Sequence, residues 1–203
     1  MRPRETAIAD AAARAAKSNV ANVRFTVGSV FDSGLPAGSF DVAVLCGVLG
    51  HIPDRDRALR HVTDLLKPGG IIAVRDMHKE ADWWSGAHSE AVGRFNGLVA
   101  GLIRGGGGDP FIGGRLKRVL LDAGFVNVVA EPSYSRALST TTSSVPFILG
   151  RVREPGFIDR IVANGDATRE ELGEIANEIE LWSQSPDAMY AIAECVALGS
   201  KPL

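Results

Sequence analysis

The sequence predicts an α/β layered fold built on a parallel sheet, with a helical elaboration toward the C-terminus. Three observations carry this. Apolar runs of strand length alternate with amphipathic helical stretches over the first 76 residues, the pattern of right-handed crossover connections. The run Phe40-Asp41-Val42-Ala43-Val44-Leu45 is nearly continuous in apolar residues, which fits a strand buried on both faces. The chain has 203 residues, 45% hydrophobic and 23% charged, so it suits one folded domain rather than a disordered segment.

The elements follow in order. Residues 6–17 are alanine-rich with no Gly or Pro, so they form a helix. Residues 23–30 (VRFTVGSV) read as a short strand of β-branched and aromatic residues. A Gly/Pro loop leads to the strand at 40–45. Asp54 caps the next helix, 56–67, whose Ala58, Leu59, Val62, Leu65 and Leu66 share one face. Lys67-Pro68-Gly69-Gly70 stops it, and Ile71 to Val74 form a third strand ending at Arg75-Asp76. Residues 81–104 are helical in part. Residues 113–123 form an amphipathic helix that Gly124 stops, and 125–129 form a strand. Residues 139–144 (STTTSS) are a polar connector. Thr168-Arg169-Glu170-Glu171 is a capping box before a helix, and 191–198 read as a sheet-closing strand.

Composition excludes several function classes. The formal net charge is −2, so no basic field exists to hold nucleic acid or an anionic membrane. No apolar run is long enough to span a bilayer, and no signal peptide is visible. Cys46 and Cys195 belong to no CxxC pair, which gives a disulfide framework or a structural zinc no support. The expected setting is the cytoplasm. His78 and His88 lack the spacing of a helical metal pair, so no metal site is assigned.

One segment, from Gly28 to Asp76, is more specific. It contains Leu35-Pro36, Gly38-Ser39-Phe40-Asp41, Val48-Leu49, His51-Ile52-Pro53-Asp54 and Leu66-Lys67-Pro68-Gly69-Gly70, in that order. This order resembles the core of class I S-adenosylmethionine-dependent methyltransferases, in particular the ubiquinone/menaquinone-type branch. Asp109-Pro110-Phe111-Ile112-Gly113, Arg115-Leu116, Ala123-Gly124-Phe125 and Ala167 to Leu172 look like the second half of the same branch, as do Trp182 and Pro186-Asp187. The resemblance covers most of the chain. It implies one domain over residues 1–203, with a partial cofactor-binding core at 1–80 and a substrate-side, sheet-closing part at 81–203.

The resemblance implies S-adenosylmethionine as cofactor and methyl transfer to a small molecule. Ligands of open α/β sheets bind beyond the carboxyl ends of the strands. Ser29 and Val30 then fall at the adenine, with Ser29 in place of the usual acid, and Asp32 is either a substitute contact or an Asx cap. Cys46 and Gly47 fall at the methionine end of the cofactor, where Cys46 has core packing as its plain alternative. His51 occupies the family's histidine position and is the candidate catalytic residue, either in proton transfer or in shaping the cavity. His78 is a second candidate base. Trp83 and Trp84 either close over the substrate or cover the core. Gly105 to Gly108 read as a flexible linker, since no strand precedes them and no Lys-Ser/Thr follows.

Two features of the resembling family are missing. The sequence has no D-x-G-x-G glycine loop and no second strand ending in a ribose-binding acid. The expected sheet is therefore N-terminally truncated. Residues 23–30 lose their neighbours, and the strand at 40–45 has an open edge that invites self-association. Two functions remain open: methyl transfer, or a non-catalytic remnant or subunit that needs a partner to complete the cofactor site. A nicotinamide-dependent dehydrogenase is disfavoured because no G-x-G-x-x-G lies between a strand and a helix.

Overall fold

The computed structural model describes residues 5–139 and 144–203. Seven helices and five strands alternate irregularly among them. They are α1 (Glu5–Lys17), β1 (Phe40–Cys46), α2 (Arg55–Leu65), β2 (Leu66–Met77), β3 (Trp83–Ser85) and α3 (Glu90–Gly105), then α4 (Leu116–Asp122), β4 (Val126–Ser139), α5 (Ser144–Val152), α6 (Pro155–Asn164), α7 (Arg169–Ser183) and β5 (Met189–Ser200). The predicted α/β architecture is present. Most of the polar connector at 139–144 lies outside the described residues.

The sheet is mixed. β1 and β2 are parallel, while β5 runs antiparallel to β2, β3 and β4. β5, last in the chain, lies in the middle: β4 lines one edge, and β2 and β3 share the other. Parallel pairing of β1 with β2 needs a crossover, and α2 supplies it. Asp54 caps α2 by accepting the Arg57 N–H at 3.0 Å. At the other end, Lys201 Nζ donates to the carbonyls of Thr63 and Leu66, both at 2.8 Å. Both carbonyls lie where α2 gives way to β2, so the residue that follows β5 ties down the end of α2. The capping box of α7 is formed as expected, with Thr168 and Glu171 bonded reciprocally.

Two apolar clusters form the core. One packs α2, the segment 112–120 and Phe125 against one face of the sheet through Leu45, Ile72, Val74 and Ala197. The other gathers α3, α5, α6 and α7 over the start of β5, with Phe95, Phe157, Ile179 and Trp182 at its centre.

The structure corrects the sequence at two strands. Residues 23–30 form no strand, and a single isolated bridge joins Ser29 to Asp32. A strand is held by the ladder of a neighbour, and no described strand lies beside this one. β1 is not buried on both faces. Leu45 points into the core, whereas Val44 on the opposite face is 70% exposed and Val42 is 52% exposed. Pairing places Val42 beside Ile71, Ala73 beside Leu198, and Leu198 beside Val129. Directly paired residues point to the same face, so Val42, Val44, Ile71, Leu198 and Val129 form an exposed apolar band across four strands. β1 pairs only with β2 among the described strands.

The two faces of β1 predict different costs. Leu45→Ala should lose about 2–5 kcal/mol, and Val44→Ala should stay within about 0.5 kcal/mol of the parent. Urea unfolding of both variants measures this; equal losses would show that the outer face is also packed.

Candidate functional site

The parallel strands β1 and β2 open their carboxyl ends on one side. Gly47 follows β1 with φ +62°, a left-handed conformation that glycine adopts without strain. Its N–H donates to the Arg75 carbonyl at 2.8 Å. A Cβ built on Gly47 would meet nothing within 4 Å, so the backbone is open to approach. Cys46 is exposed and accepts a hydrogen bond from Arg75 Nη2 at 3.1 Å. Arg75 also pairs with Glu194 at 3.4 Å. Cys46 thus belongs to the surface and not to the core.

Asp76 is buried and faces the other way. Its Oδ2 accepts the Gly50 N–H and its Oδ1 accepts the Met77 N–H, both at 3.0 Å. This pins the short 3-10 turn Leu49–His51 to the end of β2. Space there is tight. A Cβ on Gly50 would lie 2.7 Å from Asp76 Oδ1, and a Cβ on Gly108 would lie 2.5 Å from the Gly50 carbonyl oxygen. The Asp109 N–H donates to that same oxygen at 2.8 Å. Gly105 ends α3, and Gly107 and Gly108 form a turn packed on Pro53 and Gly50 beside His51, in place of the flexible linker that composition suggested for Gly105 to Gly108.

Beside these strand ends lies a cavity of about 310 Å³. His51 comes from the turn after β1, Met77 from the end of β2 and Lys79 from the 3-10 turn that follows it. Helix α3 supplies Phe95, Asn96, Val99 and Ile103, and α5 supplies Ile148 and Arg151. Tyr190, Ile192 and Glu194 on β5 close it. The wall is mostly apolar, and a buried polar network backs it. Asp82 has no solvent access in its side chain and pairs with Lys79 at 2.8 Å. Its Oδ1 accepts the Ala193 N–H at 2.8 Å. The Tyr190 hydroxyl lies 3.0 Å from both Asp82 Oδ2 and Asn96 Oδ1. Burial, then the charge of Asp82, pushes the Tyr190 phenol well above its ordinary range. Asn96 Nδ2 is buried and has no hydrogen-bond partner among the described residues.

The structure gathers some predicted residues and separates others. His51 lines the cavity. Cys46 and Gly47 sit at the neighbouring strand end, outside its lining. Ser29 is exposed, and its Oγ accepts the Phe31 N–H at 3.2 Å. Val30 packs against the α2 cluster. Phe31 lies 5.2 Å under Arg57, and Ser33 bonds His61 at 2.9 Å, so the loop 29–33 is folded onto α2. Asp32 Oδ1 accepts the Gly34 N–H at 3.3 Å, the Asx-turn role. His78 lines a separate hollow, with Nδ1 at 2.9 Å from the Phe111 carbonyl. Trp84 packs onto α3 at Gly93, Trp83 is exposed, and neither lines the cavity.

The sequence did not reveal Lys79, Asp82, Asn96 or Tyr190 as a group. One signal was available: Val92, Asn96, Val99 and Ile103 fall on one face of α3 at helical spacing, and a carboxamide in an apolar stripe calls for a partner.

A family profile described as a methyltransferase domain matches residues 4–124, more than half of the chain. The chain belongs to the methyltransferase domain family. S-adenosylmethionine is the methyl donor of this family. Among curated relatives, "Probable methyltransferase ltbC" of Aspergillus luteorubrus is 24% identical over 200 residues, covering 91% of this chain and 68% of that protein. The YcgJ protein of Bacillus subtilis has a similar fold, with TM-score 0.60 at 15% identity, covering 99% of this chain and 80% of YcgJ. Phosphoethanolamine N-methyltransferase 2 of Haemonchus contortus, solved with S-adenosyl-L-methionine, has TM-score 0.51 at 16% identity. This chain is 97% covered in that match but spans only 41% of the Haemonchus protein. No described helix of this methyltransferase-family chain is long and apolar enough to cross a membrane.

The buried phenol gives the network a pH signature. The folded chain holds Tyr190 neutral, whereas the unfolded chain releases it to a pKa near 10.0. Its contribution is complete below that pH and is lost as pH rises toward the higher folded value. Removing the hydroxyl in Tyr190→Phe should cost about 1.5–3 kcal/mol at neutral pH, as for a bond to a charged acceptor. Thermal melts across alkaline pH should show the parent losing stability more steeply than the variant. Parallel slopes would show that Tyr190 is not the group responsible.

Proposed function

We propose that this chain transfers a methyl group from S-adenosylmethionine to a small, largely apolar molecule held in the cavity under α3 and α5. The observation that carries this is the position of that cavity, which opens beside the carboxyl ends of β1 and β2 next to the open backbone at Gly47. The order of motifs supports the finer assignment to the ubiquinone/menaquinone-type branch. Cys46 and Gly47 face the methionine end of the donor, and Ser29 and Val30 lie on its adenine side.

S-adenosylmethionine supplies an electrophilic methyl carbon on a sulfonium. The chain's own residues position, dry and deprotonate the acceptor. Met77, Phe95, Val99 and Ile103 present apolar walls, which exclude water and orient the acceptor. His51 is the general base, taking the proton that an acceptor hydroxyl or acidic carbon gives up. The turn Leu49–His51 is anchored by Asp76 through Gly50, so the imidazole is carried on a rigid support. The proposed setting is the cytoplasm.

A second reading is that the chain is a subunit or remnant whose cofactor site is completed by a partner. The exposed apolar band of Val42, Val44, Ile71 and Leu198, which runs across the sheet face from β1 to β5, favours it, as does β1 pairing only with β2 among the described strands. A second copy pairing through the edge of β1 is one way to complete the sheet.

Titration calorimetry with S-adenosylhomocysteine separates the two. Micromolar binding by the purified chain supports the first reading and sinks the second. Binding that appears only after an added partner segment reverses that order. With an active preparation, His51→Gln should lower kcat by about 100-fold or more while S-adenosylhomocysteine affinity stays unchanged. A variant with parental kcat would remove His51 from the mechanism.

A further inference from the structure

Two peptide groups carry His51 to the cavity, and each is gripped at both ends. In the peptide between Leu49 and Gly50, the carbonyl accepts the Arg55 Nε–H at 2.9 Å and the N–H donates to Asp76 Oδ2 at 3.0 Å. In the peptide between Gly50 and His51, the carbonyl accepts the Asp109 N–H at 2.8 Å and the N–H donates to the Val48 carbonyl at 3.1 Å. A peptide group is planar, so bonds at opposite ends fix its orientation. The turn needs them, because Gly50 has no Cβ to restrict its backbone and the closeness of Asp76 admits no larger residue. Among the described residues no group hydrogen-bonds the His51 ring, so its aim comes from the turn. Two of the other three bonds are backbone to backbone, and the third ends on Asp76, which also holds the Met77 N–H. Arg55 has no such second task. Leu49 is the one hydrogen-bond partner of its side chain among the described residues.

The Arg55 guanidinium sits there against the interest of the fold. Arg55 is the first residue of α2, and a cation at a helix N-terminus opposes the helix dipole. Burial, then the charge of Arg115, presses the guanidinium below its ordinary range, and Asp76 and Asp56 offset part of this. Its Nη2 is buried with no partner among the described residues, and an unpaired buried donor is destabilising. A residue that opposes stability and makes a single bond is explained by what that bond does. The geometry points to Arg55 as a positioning residue: by holding the Leu49 carbonyl, it fixes the angle at which the turn presents the His51 imidazole to the cavity.

This inference rests on the reading of His51 as general base, but one arm of its test needs neither methyl donor nor turnover. Arg55→Met keeps most of the side chain's length and removes the donor and the charge. Its melting temperature should stay within about 3 °C of the parent, because the lost bond is offset by removal of the unpaired Nη2 and of the repulsion from Arg115. In NMR spectra of the whole chain, the His51 imidazole resonances, assigned by their loss in His51→Gln, should shift and broaden. Those of His61 and His88 should stay in place. With an active preparation, kcat should fall about 10- to 100-fold while S-adenosylhomocysteine affinity is unchanged. In a His51→Gln background the same substitution should lower kcat by less than about twofold, since a residue that acts through His51 has nothing left to position. Unmoved His51 resonances overturn the inference. So do equal losses of kcat in the two backgrounds, or a variant that unfolds or melts far below the parent, which would make Arg55 a structural residue. A His51→Gln chain with parental kcat removes the base and leaves the NMR result standing, so the two failures remain distinguishable.

Discussion

Asp82 is a carboxylate with no access to solvent, and it survives there through three donors. Lys79 supplies the opposite charge, the Ala193 N–H comes from β5, and the Tyr190 hydroxyl comes from the same strand. Without such partners a buried carboxylate costs several kcal/mol or takes up a proton. Satisfying it fixes the position of the β2–β3 connection against β5. That placement lets β3 pair with the first residues of β5, and it sets the phenol that holds Asn96 in place. The cavity therefore owes its polar corner to one ion and its apolar walls to α3 and α5. The helices could be repacked with other hydrophobes at modest cost; the carboxylate admits few substitutes.

What was legible in the sequence was local. The Asp54 cap and the Thr168 capping box depend on residues a few positions apart, and the structure shows both, whereas α2 ends at Leu65 and Lys67-Pro68-Gly69-Gly70 lie within β2 and not at the helix stop. The motif order set His51 shortly after β1 for the same reason, and there it lines the cavity. Properties set by distant neighbours were misread. Residues 23–30 have the composition of a strand, but composition provides no partner. The apolar run of β1 resembles a doubly buried strand, yet helices cover only one side of it. The polar corner joins residues 94 and 108 positions apart, and no spacing rule reaches that far. The four-glycine run was misleading in another way. Its last two glycines are required by close approach, since a side chain at Gly107 would meet Pro53 and one at Gly108 would collide with the Gly50 carbonyl.

The face of the sheet that carries the cavity is unevenly covered. At Tyr190, Ile192 and Glu194 the helices lie over it, and at Val196 and Leu198 on the same side of the same strand they do not. One strand thus serves as cavity floor at one end and as open apolar surface at the other. The Arg75 side chain sits at the border, bonded to Cys46 on β1 and to Glu194 at the cavity. Gly47 follows Cys46 on that border, so its open backbone and the cavity are neighbours across one guanidinium.

The order of β5 in the chain bears on how the molecule is made. β5 follows every other described element in the chain, yet it separates β2 from β4 in the finished sheet. Until residues 189–200 leave the ribosome, β2 and β4 each lack the partner they will hold, and Asp82 lacks two of its three donors. Helices α2 to α7 can form locally during translation, but the sheet must wait for β5. Contacts of such sequence separation slow folding and leave strand edges exposed meanwhile. Nascent chains stalled just short of Met189 should therefore engage chaperones strongly, whereas the same chains released a dozen residues later should not.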